Sequence, residues 1–171
     1  GSKLSIAYAK RVKRLIISSN PRERLEVSIK KIKTSGDKFK NIKISKIGGK
    51  NLFCKEIEDQ LEKKKIDIAV HSLKDMETVE RKGLTVGAYI KRNDPRDVLI
   101  LRKKGDFKNL DKKIIGSSSR RRSLQMKLMN KRIRIKDIRG NVETRLLKVK
   151  KGDYDGTILA LAGLKVLKLN K

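Results

Sequence analysis

The sequence predicts an α/β protein with mostly parallel sheets, divided into two domains. Short apolar runs typical of strands alternate along the chain with segments whose apolar residues recur at helical spacing. This alternation favours parallel strands joined by helices. A length of 171 residues allows one domain or two small ones. The segment 90–104 is expected to hold the crossover between domain 1, residues 1–92, and domain 2, residues 93–171.

In the first domain, the patterns predict two helices, three strands and a long loop. Residues 2–17 carry apolar side chains at helical spacing, and Ser2 is expected to be the N-cap. Asn51 is expected to cap a second helix, whose apolar stripe reaches residue 61. Residues 38–50 are polar and basic and are expected to form a mobile loop. Apolar runs predict strands over 25–32, 66–71 and 84–90.

The second domain alternates strand and helix more regularly. Apolar runs predict strands over 97–102, 114–115, 133–138 and 154–161. Helical spacing predicts helices over 120–129, 141–152 and 162–169. Asn141 is expected to open the second of these helices and Gly152 to end it.

The composition is strongly basic, with 47 Lys and Arg against 19 Asp and Glu and a formal net charge of +28. Such a charge attracts nucleic acid, acidic membranes or small polycarboxylates and phosphates. An aromatic content of 4% disfavours stacking platforms for single-stranded nucleic acid. Arginine is the more informative basic residue, because its planar fork binds carboxylate and phosphate bidentately. Seven arginines fall in one stretch of the second domain: Arg120, Arg121, Arg122, Arg132, Arg134, Arg139 and Arg145.

Residue counts exclude several kinds of site. With one Cys and one His, neither a disulfide framework nor a cysteine-based or histidine-rich metal site is expected. Cys54 is interpreted as a buried filler and not as a nucleophile. No apolar stretch approaches the roughly 20 residues that span a bilayer. The sequence therefore predicts no metal centre and no membrane span.

Polar clusters follow three of the predicted strands, where ligands bind in open parallel sheets. In the first cluster, Lys74 offers an anion anchor and Asp75 a carboxylate that can handle protons. The same pair also fits an ordinary surface ion pair, and His71 is interpreted as a structural histidine.

The other two clusters lie in the second domain. At 116–122, small residues precede a helix that begins with three arginines. This pattern indicates an anion site at a helix N-terminus, with a nuclear-targeting or nucleic-acid patch as the competing interpretation. At 139–145, Arg139 ends a predicted strand and Arg145 lies in the helix that follows.

Taken together and in order, seven motifs of this chain closely resemble the porphobilinogen deaminase family, also called hydroxymethylbilane synthases. The resemblance covers essentially the whole chain, and it rests on residues 1–4, 48–53, 69–75, 94–97, 116–122, 139–142 and 159–165.

This resemblance implies a transferase of porphyrin and haem biosynthesis. Members of the family join four porphobilinogen molecules head to tail, with release of ammonia at each step, to give the linear tetrapyrrole hydroxymethylbilane. They do so on a covalently attached dipyrromethane primer. The first two domains resemble periplasmic binding proteins, and the active site lies in the cleft between them. Each pyrrole carries an acetate and a propionate, which suits a basic site.

The resemblance also implies roles for individual residues. Asp75 matches the catalytic carboxylate, which handles pyrrole N–H groups and the cation formed as ammonia leaves. Positions that bind carboxylates of the primer or substrate are matched by Lys74, Arg121, Arg122, Arg139 and Arg145. Positions that hydrogen-bond the primer are matched by Ser2, Ser117 and Ser119. Lys46 and Lys50 lie in the segment that the family uses as an active-site lid.

The chain departs from the family pattern at four points. The first strand of the family is not in this sequence, and Asn51 replaces a usual Gly. Val166 stands where some members place a substrate-binding Arg. The third domain with the primer-bearing Cys is absent, and Cys54 is not that residue. We therefore expect the first two domains of a longer enzyme, inactive as a separate piece.

Two other functions remain open on the residues alone. One is a non-catalytic, periplasmic-binding-like module for small organic anions. The other is a basic nucleic-acid-binding protein, which is disfavoured because the arginines follow strand-end loops. We expect a monomer that acts on porphobilinogen without nucleic-acid or membrane partners, in the cytoplasm or, in a eukaryote, an organelle.

Overall fold

The computed structural model describes residues 1–38, 54–103 and 109–169. The chain divides into two units, Gly1–Lys91 and Arg92–Lys171. None of the helices in these described ranges is long and apolar enough to cross a membrane.

The first unit is built from helices and extended segments. Its helices are α1 (Lys3–Ser19), α2 (Ser35–Lys38), α3 (Lys55–Glu62) and a 3-10 turn at Leu73–Asp75. Ser2 caps α1 as predicted, because its hydroxyl accepts a hydrogen bond from the Ser5 N–H at 3.1 Å. The predicted loop 38–50 and the predicted cap Asn51 lie, apart from Lys38 at the end of α2, outside the described residues.

The three strands predicted for the first unit are not formed. Residues 25–32, 66–71 and 84–90 are all described, and none of them is assigned to a strand or belongs to the sheet. Apolar alternation indicates which face of a strand would be buried, but a strand also needs a neighbour for its N–H and C=O groups and a layer to cover that face. Here Ile68 is 58% exposed and Tyr89 is 72% exposed. The prediction was wrong because it considered only local pattern.

The second unit contains a four-stranded sheet with the order β1-β4-β2-β3. The strands are β1 (Asp97–Leu101), β2 (Ile114–Gly116), β3 (Arg134–Lys136) and β4 (Gly156–Ala160). The helices are α4 (Arg120–Met129), α5 (Val142–Lys151) and α6 (Leu161–Val166). The predicted strands and helices of this half are thus confirmed. α4 has the predicted bounds, β2 is one residue longer, and the other ends differ by at most three residues. The mixed α/β class is also confirmed.

Strand direction decides which residues meet at one edge of the sheet. β2 pairs in parallel with both β3 and β4, so the carboxyl ends of these three strands share an edge. β1 pairs antiparallel with β4, and Asp97 lies opposite Ala160. The first residue of β1 therefore lies at the same edge as the last residues of the other three strands.

Local sequence chemistry positions the two helices that start at this edge. Ser119 caps α4 by accepting from the Arg122 N–H at 3.5 Å, and Asn141 caps α5 by accepting from the Thr144 N–H at 2.9 Å. Gly152, at φ 92°, ends α5 in the left-handed region.

The core beneath this edge is apolar and closely packed. Two groups of buried side chains fill it: Ile115, Met126, Ile133 and Ile158 in one, and Ile138, Val149 and Tyr154 in the other. At Gly116 the backbone lies so close to Ile138 that an added Cβ would be 2.9 Å from its Cδ1. Glycine at the end of β2 thus lets the two parallel strand ends approach each other.

Candidate active site

Asp75 lies in the first unit at the end of the 3-10 turn. Its N–H donates to the Ser72 carbonyl at 2.8 Å, which fixes the backbone of the turn. Asp75 and its neighbour Lys74 are both exposed residues, although the Asp75 carboxyl group is partly shielded from water. Partial burial raises the pKa of the Asp75 carboxyl, and the charges of Lys74 and His71 offset part of the rise. Such a carboxyl is suited to accept a hydrogen bond or exchange a proton.

The backbone of Asp75 is also held by a thiol. The Cys54 Sγ donates to the Asp75 carbonyl oxygen at 3.3 Å and lies 3.5 Å from His71 Nδ1. Cys54 is 1% exposed, as expected for a buried filler. Burial, and next the negative charge of Glu58, raises the pKa of its thiol to about 11. A thiol with this pKa is protonated at neutral pH and is a poor nucleophile.

In the second unit, four arginines that we call the arginine cluster (Arg121, Arg122, Arg139 and Arg145) follow the ends of β2 and β3. Burial lowers the pKa of Arg145, and the positive charges of Arg122 and Arg139 lower it further. Arg122 and Arg139 thus each lie near enough to Arg145 for their charges to act on it. The Arg145 Nε donates to the Gly140 carbonyl at 2.8 Å, which anchors one side of its fork. A group of like charges of this kind is a site for anions.

The predicted serines lie beside the arginine cluster. Ser117 is buried, and its hydroxyl donates to the Ser119 carbonyl and accepts from the Ser119 N–H, both at 3.3 Å. The neighbouring Ser118 hydroxyl donates to the Ile138 carbonyl at 2.7 Å. These bonds tie the end of β2 to the segment after β3 and fix the start of α4. The serines thus shape the backbone from which Arg121 and Arg122 project.

Asp97 is the residue of this site that the sequence analysis missed. Its two carboxylate oxygens each accept a 2.7 Å hydrogen bond, one from Arg121 and one from Arg122. Burial raises the pKa of Asp97, but the bonds from Arg122 and Arg121 outweigh it, so the pKa lies below its ordinary value. The signal was present in the motif 94–97, yet only the antiparallel direction of β1 brings Asp97 to these arginines.

The remaining predicted residues are placed as follows. Lys74 adjoins Asp75 in the 3-10 turn, and Ser2 caps α1, with its hydroxyl 2.7 Å from that of Ser5. Lys46 and Lys50 lie outside the described residues. The predicted residues of the second unit thus lie together after the ends of β2 and β3. Those of the first unit lie at the start of α1 and in the 3-10 turn.

One of the guanidinium groups retains an unused donor. The Arg122 Nε is buried and has no hydrogen-bond partner within the described part of the chain. A buried donor without a partner is costly and indicates a position for an acceptor. Fold and site together define an α/β protein with an arginine-rich edge on a mostly parallel sheet.

Comparison with known proteins gives the family. The family described as porphobilinogen deaminase, dipyromethane cofactor binding domain, matches residues 1–171. A porphobilinogen deaminase of Syntrophomonas wolfei is 47% identical over 172 residues, covering 100% of this chain and 56% of the relative. One of Bacillus mycoides is 50% identical over 140 residues, covering 81% of this chain and 45% of the relative. One of Sulfurimonas denitrificans is 42% identical over 170 residues, covering 99% of this chain and 54% of the relative.

The chain belongs to the porphobilinogen deaminase family. It spans about half the length of the curated relatives it matches. The resemblance found in the sequence motifs is thereby confirmed.

Proposed function

We propose that this chain is part of a hydroxymethylbilane synthase, which condenses four porphobilinogen molecules and releases ammonia at each condensation. Family membership supports this activity and gives no support to a non-catalytic organic-anion module. The observation that carries the proposal is the arginine cluster around the unused Arg122 Nε donor. Its natural ligands are the acetate and propionate groups of pyrroles.

Carboxylate binding by the arginine cluster follows from its charge and geometry. Arg122, Arg139 and Arg145 bring three positive charges into one region, and the nearby Asp97 neutralises only part of the total. A carboxylate accepts two parallel N–H bonds from a guanidinium fork, and such charge-assisted bonds are about twice as strong as neutral ones. We infer that Lys74 contributes a further cation for the same class of ligand.

The second unit also fits a dipyrromethane primer. Its carboxylates would be held by the arginine cluster, and Ser117 and Ser119 would add hydrogen bonds beside it. The unpartnered Arg122 Nε is the observation that fits such an acceptor. When bound, the dipyrromethane supplies the pyrrole to which the first substrate is joined. Ser2 is proposed to hydrogen-bond the same group, and Lys46 and Lys50 to belong to the lid.

Asp75 is proposed as the catalytic residue. Its carboxylate would accept a hydrogen bond from the pyrrole N–H of the substrate and stabilise the cation that forms as ammonia leaves. A negative charge at this point is stronger when it is partly removed from water, as the environment of Asp75 provides. We propose that the two units are the first two domains of the enzyme and that the site lies in the cleft between them.

The test compares Asp75→Ala with Asp67→Ala, since Asp67 is an exposed aspartate in the extended segment that precedes the turn. Ammonia release and tetrapyrrole formation from porphobilinogen are measured for the full-length protein. Loss of a group that handles protons and charge should lower turnover about 10²–10⁴-fold, while Asp67→Ala should match the unchanged protein. Circular dichroism confirms that both variants fold. Near-normal turnover in Asp75→Ala would remove Asp75 from its proposed role.

A second experiment tests the arginine cluster. Arg122→Leu should impair primer assembly or chain elongation, whereas Arg92→Leu, at an exposed arginine of the same unit, should not. Intact-mass measurement shows whether the protein carries a covalent dipyrrole. An unmodified protein with no turnover would contradict the proposed function, and an unchanged product profile in Arg122→Leu would contradict the role of the cluster.

A further inference from the structure

Three potential metal ligands meet in the first unit. The Cys54 thiol, the Glu58 carboxylate and the His71 imidazole each offer one ligand atom, and these atoms lie within 4.8 Å of one another. We call these residues the Cys-Glu-His cluster. Cys54 is the residue before α3, and Glu58 lies within α3, four residues after Cys54. At this spacing both side chains project from one side of the helix. His71 comes from the extended segment before the 3-10 turn.

The spacing of the cluster suits a tetrahedral ion. With Zn–S near 2.3 Å and Zn–N near 2.0–2.1 Å, tetrahedral geometry separates the two ligand atoms by roughly 3.5 Å. Cys54 Sγ and His71 Nδ1 are 3.5 Å apart. These two ligands are therefore already in position, and a Glu58 carboxylate oxygen lies within 4.8 Å of both.

The imidazole of the cluster has one weak polar contact. A thiol is a poor hydrogen-bond donor, and it is the only partner of the imidazole within the described residues, because His71 Nε2 is buried and unpartnered there. A bound cation would replace a weak thiol contact with coordinate bonds to sulfur, nitrogen and oxygen.

The local charge also favours a cation. The carboxylates of Glu58, Asp75 and Glu77 all lie near enough to the Cys54 thiol to act on it electrostatically. Their negative charge would attract a cation to this position.

We propose that Cys54, Glu58 and His71 bind a divalent cation of the zinc type, with a fourth position open to water. Binding forms the metal–sulfur bond and releases the thiol proton to solvent. The sequence predicted no metal site, because one Cys and one His are too few for a site built from several ligands of the same type. The proposed site takes one Cys, one Glu and one His. Coordination would break the hydrogen bond from the Cys54 thiol to the Asp75 carbonyl, because the thiol proton leaves. The bonds of the ion to Cys54 and His71 would then tie α3 to the segment that precedes the 3-10 turn. The proposal does not depend on the proposed function.

The test titrates the purified full-length protein with Co²⁺, which shares the geometry of Zn²⁺ and has visible absorption. We expect a thiolate-to-cobalt charge-transfer band that saturates at one equivalent, with release of about one proton, and that Zn²⁺ displaces. Cys54→Ser should lose this band. Glu58→Gln should weaken Co²⁺ binding at least tenfold. Glu77→Gln is the matched control, because it removes a nearby negative charge without removing a ligand.

Each outcome decides the proposal. The charge-transfer band, its loss in Cys54→Ser and a larger effect of Glu58→Gln than of Glu77→Gln would support it. Absence of the band with excess Co²⁺, its persistence in Cys54→Ser, or equal weakening by the two glutamate changes would overturn it. Glu58→Gln keeps the test decisive if Cys54→Ser fails to fold.

Discussion

Replacing Asp97 by Asn tests how the arginine cluster is held together. Asp97 binds Arg121 and Arg122 through two 2.7 Å hydrogen bonds, and its side chain is 18% exposed. Asparagine has nearly the same shape but no charge, and its NH2 group cannot accept the hydrogen bond that the second Asp97 oxygen accepts. The change leaves Arg122 without its counter-charge and near the positive charge of Arg145, so the second unit should lose stability.

The expected loss in the free energy of unfolding follows from how exposed the two arginine side chains are. The Arg121 side chain is 62% exposed, so its pair contributes about 0–1 kcal/mol. The Arg122 side chain is only 15% exposed, and a charge-assisted bond in that position contributes about 1.5–3 kcal/mol. Since asparagine retains one weaker bond, we expect a net loss of about 2 kcal/mol, which corresponds to roughly 30-fold in an equilibrium constant.

Hydrogen exchange of the β4 amides measures this loss. β4 lies between β1 and β2, so its amides exchange when the sheet opens. Asp97→Asn should speed their exchange by roughly 30-fold. Asp153→Asn is the matched control, because it removes the same charge at an exposed position of the same unit. Equal β4 exchange in the two variants would refute the idea that Asp97 stabilises the cluster.

Three further predictions concern the same unit. Because the folded-state pKa of Asp97 lies below the unfolded value of about 3.9, its contribution is fully present above that value and is lost as pH falls through the folded pKa. The stability difference between the unchanged protein and Asp97→Asn should therefore shrink below about pH 4, and a constant difference on acid titration would contradict this. Gly116→Ala places a Cβ 2.9 Å from the Ile138 side chain and should cost about 1–3 kcal/mol in urea unfolding, whereas Gly87→Ala, with open space around it, should cost far less. Asn141→Ala removes the cap of α5 and should cost about 1 kcal/mol; Asn141→Ser should restore most of it, and equal loss in both variants would argue against capping.

In the second unit, interactions between residues close in sequence made several features predictable. Ser119 caps the start of α4, Asn141 caps the start of α5, and Gly152 ends α5. Each contact joins residues that are only three or four positions apart in the sequence. Such short-range chemistry is readable along the chain. The same holds for the concentration of arginines after the predicted strands, which predicted the anion-binding edge before any strand was paired.

The long-range contacts required the tertiary structure. The alternating pattern of residues 25–32 predicted a strand that does not form, because pairing depends on a neighbour elsewhere in the chain. Asp97 reaches Arg122 only because β1 runs antiparallel to β4. Cys54 and His71 are separated by 17 residues and meet only through the path of the chain between them. The sequence by itself thus determined α1, α4 and α5, the caps Ser2 and Asn141, and the basic character of the site, since these depend on neighbouring residues. The counter-charge of the arginines and the Cys-Glu-His cluster were decided by the tertiary fold, which alone brings distant side chains within bonding distance.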